Sequence, residues 1–184
     1  MSTAGVLLAA GSGSRFAGSE HKLLIAVRGR PLYRWALEHA LAAGLDELIV
    51  VTGAAVLELP SSVTVAPNEQ WAEGQAGSVQ VGLAAAEAGG HEAAVIGLAD
   101  QPGVPTEAWR RVAAAMVPIA VAVYAGQRAN PVRLHREVWP LLPTEGDEGA
   151  RTLMRLRPEL VTEVPCPGDP ADIDTVEDLT TWNS

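Results

Sequence analysis

Short, uninterrupted apolar runs alternate with helical patterns through the first two thirds of the chain. Runs of this length are typical of strands that are buried on both faces of a sheet. They occupy residues 5–10, 47–52, 63–66, 93–99 and 119–124. Between them, apolar residues at helical spacing, bounded by proline or a capping residue and by glycine, predict helices. These helices are expected at 31–43, 77–88 and 108–116.

This alternation predicts a single α/β domain that spans residues 1–184. Right-handed crossovers assemble such units into a doubly wound, mostly parallel sheet in a three-layer αβα domain, with ligands at the carboxyl ends of the strands. The connection 53–62 is short for a helical crossover, so only a turn of helix is expected there. The last third is less regular. It predicts a strand or ribbon at 130–134, helices at 137–142 and 148–157, a strand at 160–165, and a final helix capped at Asp174 and Thr175.

Composition and charge exclude several classes of protein. The 13 basic residues are outnumbered by 22 acidic ones, which gives a net charge of −9. This charge has the wrong sign for a protein that binds the phosphates of a nucleic acid. The single cysteine, Cys166, allows neither an internal disulfide nor a zinc site of several thiolates. No apolar stretch is long enough to span a membrane, and the start lacks the basic region of a secretory signal peptide. We therefore expect a cytoplasmic protein.

The glycine-rich turn after the first strand, residues 8–15, is the strongest local signal. Glycines at the exit of a buried strand let backbone amides approach an anion closely, which suits phosphate. The turn is not a P-loop, because no Gly-Lys-Ser/Thr follows. A nicotinamide fingerprint is disfavoured because Phe16 takes the third glycine position and the second strand ends at Thr52 without a carboxylate. Arg15 and Lys22, expected on an exposed loop, add two cations that an ordinary tight turn does not need.

The sequence resembles a known family in five segments that occur in the family's order. Leu8-Ala-Ala-Gly-x-x-x-Arg15 with Lys22-Leu-Leu resembles the opening of the GT-A-like nucleotidyltransferases, specifically the MocA-like and MobA-like molybdenum cofactor cytidylyl- and guanylyltransferases. Residues 68–83, with Trp71, resemble the segment that contacts the base, and 98–102 the strand end that binds metal. Residues 130–131 with 146–151 resemble the acceptor loops, and 172–179 the closing motif. The resemblance spans nearly the whole chain.

Three positions bear on the choice of nucleotide and acceptor. The stretch 53–63 is shorter than in most relatives, and His21 stands where many guanylyltransferases carry an acid. Ala10 is similar to the cytidylyl-transferring branch, whereas the guanylyl-transferring branch tends to have glycine there. The resemblance therefore favours CTP over GTP.

The resemblance implies Mg²⁺-dependent transfer of CMP, or alternatively GMP, to a phosphorylated acceptor such as molybdopterin, with a molybdoenzyme as a further partner. The implied catalytic residues are Arg15, Lys22, Asp100 and Asp174, the last two also holding the metal, with Asp172 as a substitute. The implied nucleotide-binding residues are Leu8, Ala9, Ala10, Gly11, Ser12, Gly13, Ser14, Arg15, Lys22, Gly77 and Ser78. The implied acceptor-binding residues are Gln101, Asn130, Asp147, Gly149 and Arg151.

Each of these residues also has a purely structural interpretation. Asp100 suits a turn at a strand end, Asp174 a helix cap, Ser78 a helix start, and Asp147 with Arg151 a solvated ion pair. A non-catalytic accessory protein of a molybdenum enzyme is the alternative function. Such a protein would keep the glycine-rich turn but lose a metal carboxylate, so the presence of both Asp100 and Asp174 argues against it.

Overall fold

A seven-stranded sheet forms the centre of the computed structural model, which describes residues 1–13 and 20–183. The described residues contain nine strands: β1 (Thr3–Ala9), β2 (Ala26–Val27), β3 (Arg30–Pro31), β4 (Glu47–Thr52), β5 (Thr64–Pro67), β6 (Ala93–Leu98), β7 (Ile119–Tyr124), β8 (Gln127–His135) and β9 (Val161–Pro165). The α-helices in the same part of the chain are α1 (Leu32–Ala42), α2 (Gln75–Ala88), α3 (Thr106–Ala114), α4 (Ala150–Leu156) and α5 (Val176–Asn183). Short 3₁₀ turns lie at Lys22–Leu24, Trp71–Glu73, Arg136–Leu141 and Pro158–Leu160.

The sheet is mostly parallel, as expected. Its strand order is β5-β4-β1-β6-β8-β7-β9, and β2 pairs with β3 in a separate ribbon. The pairs β1–β4, β1–β6, β4–β5 and β7–β9 are parallel, whereas β8 runs antiparallel to both β6 and β7. The mixed three-layer α/β architecture confirms the predicted fold class.

Helices cover both faces of the sheet because the side chains of each strand alternate between them. From β1, Val6 and Leu8 face the core layer of α2 and α4, while Leu7 and Ala9 face α1 and α3. Two glycines permit close approach of a helix to the sheet. A Cβ on Gly97 would lie 2.4 Å from the Trp109 ring of α3, and a Cβ on Gly82 of α2 would lie 2.4 Å from Val6.

The connection between β4 and β5 corrects one expectation. No turn of helix forms in residues 53–62, all of which the structure describes; the segment is irregular and leads directly into the parallel strand β5. Two of its apolar side chains, Leu57 and Leu59, pack on the layer of α1 and α3. The Tyr33 hydroxyl donates a hydrogen bond to the Glu58 carbonyl at 2.9 Å. The crossover thus covers the sheet without a helix, because α1 supplies the surface against which the segment packs.

The C-terminal segment returns to the carboxyl edge of the sheet through a small third core. Ile173 is fully buried with Ile25, Val27 and Leu32, and Trp182 packs against them. The Ile173 amide also donates to the Asp100 carbonyl at 3.2 Å. This core fixes the segment that carries Asp174 beside the end of β6.

The longest α-helix in the described residues is α2, with 14 residues. None of their helices combines the length and the hydropathy that crossing a bilayer requires.

Candidate active site

A cavity of about 810 Å³ lies at the carboxyl edge of the sheet. It brings together the turn after β1, the 3₁₀ turn of Lys22, the end of β6, the start of α2 and the C-terminal segment. Its lining consists of Leu8, Ala9, Ala10, Gly11, Ser12, Gly13, Lys22, Leu23, Trp71, Ala72, Gly74, Gln75, Ser78, Leu98, Asp100, Asp147, Glu148, Arg151, Asp172 and Asp174. The predicted position of the ligand at the strand ends therefore coincides with a concave site.

Lys22 joins two acids that are far apart in the sequence. Its Nζ donates a hydrogen bond to Asp100 Oδ2 at 2.7 Å and another to Asp174 Oδ1. Lys22 is 6% exposed, so the expectation that it stands on an exposed loop is wrong. Burial alone would lower the pKa of the ammonium, but the charges and hydrogen bonds of Asp100 and Asp174 outweigh it and raise that pKa above its ordinary value.

Thr175 and Asp178 form hydrogen bonds at the start of α5. The Thr175 hydroxyl accepts a hydrogen bond from the Asp178 amide at 3.2 Å, and Asp178 Oδ2 accepts from the Thr175 amide at 2.8 Å. This reciprocal arrangement is a capping box in which aspartate takes the place of the usual glutamate. The predicted cap at residues 174–175 thus forms through Thr175, and the Asp174 carboxylate is directed to Lys22.

Asp172 lines the same cavity as Asp100 and Asp174. Partial removal of this carboxyl from water, and then the negative charge of Asp100, raise its pKa above the usual aspartate value. Gln101 Nε2 donates to Asp172 Oδ1 at 2.8 Å and to the Pro170 carbonyl at 2.9 Å. Gln101 therefore holds the C-terminal segment in place and does not line this cavity, and its predicted role in acceptor binding stays a prediction.

The glycine-rich turn abuts Lys22 directly. Gly13 has φ +64°, and a Cβ there would lie 2.5 Å from the Cβ of Lys22. His21 fastens the turn: Nδ1 accepts from the Leu23 amide at 3.2 Å, so Nε2 carries the proton and donates to the Gly11 carbonyl at 2.9 Å. The sequence singled out His21 only because many guanylyltransferases carry an acid there. Its hydrogen bonds could not be predicted, because a side chain that bonds to backbone groups leaves no motif. Ser14 and Arg15 lie outside the described residues.

The start of α2 supplies the wall opposite the glycine-rich turn. Ser78 lines the cavity, and its hydroxyl accepts a hydrogen bond from Asn68 Nδ2 at 3.0 Å. Asn68 Oδ1 in turn accepts from the Gln70 amide at 3.0 Å. The two buried polar side chains thereby fix the segment that places Trp71 in the cavity wall.

A second cavity of about 360 Å³ adjoins the first and shares Gln75, Asp147, Glu148 and Arg151 with it. Its apolar residues come from the sheet and from two helices: Val79, Ile96, Val121, Val132, Ala150 and Met154. Its polar residues include Arg128, Asn130 and Arg155. The sequence indicated Asn130, Asp147 and Arg151 here, but it could not indicate the apolar residues, which look like any other core positions.

Of the predicted site residues that the structure describes, three line neither cavity: Gly77, Gln101 and Gly149. Gly149 begins the turn into α4 with φ +48°, which explains the glycine without a ligand. Arg151 is not in the solvated pair that its spacing from Asp147 suggested. Arg155 pairs with Glu148 at 3.1 Å, whereas Arg151 forms no ion pair with any described acid.

The mostly parallel sheet, with a glycine-rich turn, a lysine and two aspartates at its carboxyl edge, defines a nucleotidyltransferase of the GT-A-like fold. Residues 5–163 match the MobA-like NTP transferase domain, and the chain belongs to this family. The family and the class of enzyme predicted from the sequence are thereby confirmed.

Two curated relatives cover nearly the whole chain. It is 32% identical to nicotine blue oxidoreductase of Paenarthrobacter nicotinovorans over 95% of this chain and 93% of that protein. It is 33% identical to the purine catabolism protein PucB of Bacillus subtilis strain 168, over 95% of this chain and 92% of PucB.

Among solved structures, Rv0371c of Mycobacterium tuberculosis H37Rv superposes with a TM-score of 0.85 at 29% identity, covering 99% of this chain and 97% of that one. A structure of Rv0371c in complex with manganese superposes with a TM-score of 0.81 at 28% identity, covering 99% and 98% of the two chains.

Proposed function

We propose that this nucleotidyltransferase moves CMP, or alternatively GMP, from its triphosphate to a phosphorylated acceptor of the molybdopterin class, with Mg²⁺, and releases pyrophosphate. The observation that carries this proposal is the placement of Lys22, Asp100 and Asp174 beside the glycine-rich turn, in a cavity that opens onto a second one. The product would then pass to a molybdoenzyme.

The first cavity suits a triphosphate. Backbone amides of the turn at Gly11–Gly13, with Lys22, supply positive charge where negative charge grows on the departing pyrophosphate. Arg15, which lies outside the described residues, is the further cation that the sequence predicts for this role. The preference for CTP rests on Ala10, a buried lining residue at the position that the guanylyl-transferring branch tends to fill with glycine.

The donor set fits a divalent cation. Asp100 and Asp174 offer hard oxygen ligands, and magnesium needs only one or two carboxylates because it keeps several waters. No group of three or more His, Cys, Asp or Glu side chains in the described residues is placed to ligate one ion. The pKa of Asp172 is raised first by its partial burial and then by the negative charge of Asp100, which lies in the same cavity. Bound Mg²⁺ would supply neutralisation of the reacting phosphates.

The second cavity suits the acceptor. Its apolar lining fits a flat ring system better than a polyol, and Arg151 stands where the two cavities meet. A phosphomonoester is largely ionised at neutral pH, since its second pKa is about 6, so no general base is needed. One of its oxygens attacks the α-phosphorus in line. The bond to the bridging oxygen of the β-phosphate breaks, and pyrophosphate leaves with the bonding electrons.

The name of one relative, nicotine blue oxidoreductase, raises an oxidoreductase as a second candidate, and a nicotinamide cofactor is the kind considered from the sequence. The position after Gly11 and Gly13 that would need a third glycine holds Phe16, and β4 ends at Thr52 with no acid for a ribose. The alternative of a non-catalytic accessory protein is also disfavoured, since Asp100 and Asp174 lie in one cavity and both accept a hydrogen bond from the Lys22 ammonium.

Thermal denaturation with each ligand tests these candidates, because a ligand that binds only the native state raises the midpoint. We expect a larger rise with CTP and Mg²⁺ than with ATP and Mg²⁺, and a smaller rise without the metal. Equal rises for CTP, GTP, UTP and ATP would remove the argument from Ala10, and a larger rise with GTP would reverse it. A rise with NADPH and none with any triphosphate would favour the oxidoreductase.

A further inference from the structure

Lys22 is the only lysine in the sequence; the other twelve basic residues are arginines. A lysine ammonium is a compact point charge on a flexible stem, whereas a guanidinium is a rigid, planar fork. The one lysine of the chain stands at the centre of the proposed site, where its Nζ bonds to Asp100 and Asp174.

Asp100 and Asp174 are predicted to ligate a metal ion, and in the structure both bind the Lys22 ammonium. The metal ion and the ammonium would compete for one position. Two oxygens that hydrogen-bond to the same ammonium are at most about 6 Å apart. An ion ligated by both would have to lie between them, and that is where Nζ lies. Lys22 therefore cannot hold this position while a metal ion is shared by Asp100 and Asp174.

We infer that Lys22 serves as the cation of the Asp100–Asp174 pair until a nucleotide binds, and that the triphosphate then draws its ammonium away and opens the two carboxylates to a divalent ion. This inference rests on the proposed function, because it takes the two aspartates as the metal ligands. Its consequence is that metal and nucleotide bind together: the metal binds weakly to the free protein and tightly in the presence of the triphosphate.

The position of Lys22 relative to the turn makes the movement a side-chain rotation. The Lys22 Cβ lies beside Gly13, so the stem starts at the edge of the proposed phosphate site. The same backbone position can direct Nζ either to the aspartates or to an anion at the turn. The exchange conserves charge balance, because the divalent ion replaces the ammonium at the carboxylates while the ammonium moves to the phosphates.

Manganese binding to the nucleotide-free protein tests the inference, with the electron paramagnetic resonance signal of free Mn²⁺ as the readout. We expect Lys22→Gln to bind Mn²⁺ about tenfold or more tightly than the wild type, because the competing charge is gone. Lys22→Arg keeps the charge and should bind like the wild type. Adding Asp100→Asn to Lys22→Gln should remove the gain, which places the ion at this cluster. Equal Mn²⁺ affinities of Lys22→Gln and the wild type would overturn the inference.

A measurement on the wild type covers the possibility that Lys22 variants fold poorly. Isotope-labelled lysine gives one side-chain NMR signal, that of Lys22, since the chain has no other lysine. We expect CTP or GTP without metal to shift this signal, and Mg²⁺ alone at the same concentration to leave it in place. A Lys22 signal that neither triphosphate moves would contradict the inference.

The affinity of the manganese–CTP and manganese–GTP complexes separates this inference from the proposed function. If the wild type binds such a complex more tightly than Asp100→Asn does, the metal site stands, and only the exchange of Lys22 is then at issue. If the two proteins bind both complexes equally, the metal site itself is wrong and the inference falls with it.

Discussion

At the scale of single residues, Asp100 combines a structural and a chemical role. Its carbonyl accepts a hydrogen bond from the Ile173 amide, and its carboxylate accepts one from Lys22. The backbone contact does not depend on the side chain, and an asparagine oxygen can still accept from Lys22. Replacing the carboxylate therefore changes the charge of the site while keeping its shape.

Asp100→Asn should fold normally and lose roughly 10²- to 10³-fold in nucleotidyl transfer, the usual effect of removing one preorganised electrostatic contact. Pyrophosphate release under saturating nucleotide measures the loss. Glu69→Gln, an exposed acid to amide change in the connection after β5, is the matched control and should retain full activity. Unchanged transfer by Asp100→Asn would exclude Asp100 from the reaction.

The sequence predicted those site residues whose chemistry shows in their type and order. Lys22, Asp100 and Asp174 could be named because charged residues at strand ends and loops stand out against an apolar chain. The role of Gln101 could not be predicted, because its partners, Pro170 and Asp172, lie some seventy positions away. The predicted roles of the site residues in binding and transfer stay predictions.

At the scale of elements, the third core couples folding to the site. Ile173 is 0% exposed and immediately precedes Asp174, so the packing of one side chain positions the next residue's carboxylate. Ile25, which begins the link from the Lys22 turn to β2, belongs to the same core. A change in this core should therefore affect stability and transfer together.

Ile173→Ala should lower the free energy of unfolding by about 2–5 kcal/mol, the range for truncating a fully buried isoleucine. Transfer by the fraction that remains folded should also fall, because Asp174 is no longer held against Lys22. Denaturant unfolding and an activity assay at low temperature separate the two effects. Ile173→Val should recover most of both, whereas Leu156→Ala, at an exposed position, should change neither. Full specific activity in Ile173→Ala would show that the core does not position Asp174.

The lining of the second cavity gives a test at the start of α4. Ala150 lines only the second cavity, so Ala150→Phe should fill part of it and raise the KM for the acceptor about tenfold or more, while the KM for the nucleotide stays the same. Ala84→Phe, on the exposed face of α2, is the matched control. If Ala150→Phe raises only the nucleotide KM, the assignment of the two cavities is reversed.

Elements with a strong local pattern were predicted well, and those set by distant contacts were not. The strands β1, β4, β6 and β7 can be predicted from their apolar runs, because a strand buried on both faces needs apolar residues throughout. The antiparallel β8 is longer than the predicted ribbon because pairing with both β6 and β7 extends it. The connection 53–62 lacks a helix because the surface of α1 and α3 receives its side chains, which no local pattern encodes.

At the scale of the whole molecule, the two edges of the sheet differ in what their polar residues do. At the carboxyl ends of the strands, the acidic side chains line the cavity. At the amino ends, polar side chains form hydrogen bonds between neighbouring strands. There, His91 precedes β6 and Glu47 begins β4, and the His91 Nε2 lies 2.6 Å from Glu47 Oε2. Ser2 Oγ lies 2.7 Å from His91 Nδ1, and the Thr64 hydroxyl donates to Glu47 Oε1. Glu47 thus links three strands far from the proposed site.

This network should make the free energy of unfolding depend on pH without changing the chemistry of the site. The hydrogen bond from Thr64, and then that from His91, hold the pKa of Glu47 below its usual range. A carboxyl with a depressed folded-state pKa stabilises the fold above its unfolded pKa of roughly 4.3, and this contribution disappears as the pH falls through the folded value. As the pH falls, the Glu47 carboxyl is therefore protonated more readily in the unfolded chain than in the native state.

Glu47→Gln should lower the free energy of unfolding by about 1–3 kcal/mol at pH 5, the range for losing hydrogen bonds to a charged group. The difference from the wild type should shrink as the pH is lowered from 5 to 3, because the wild-type carboxyl becomes protonated and loses the same contribution. Denaturant unfolding at each pH measures the difference, with Glu69→Gln as the exposed control. A Glu47→Gln difference that stays constant or grows below pH 4 would show that the Glu47 charge does not stabilise this edge of the sheet.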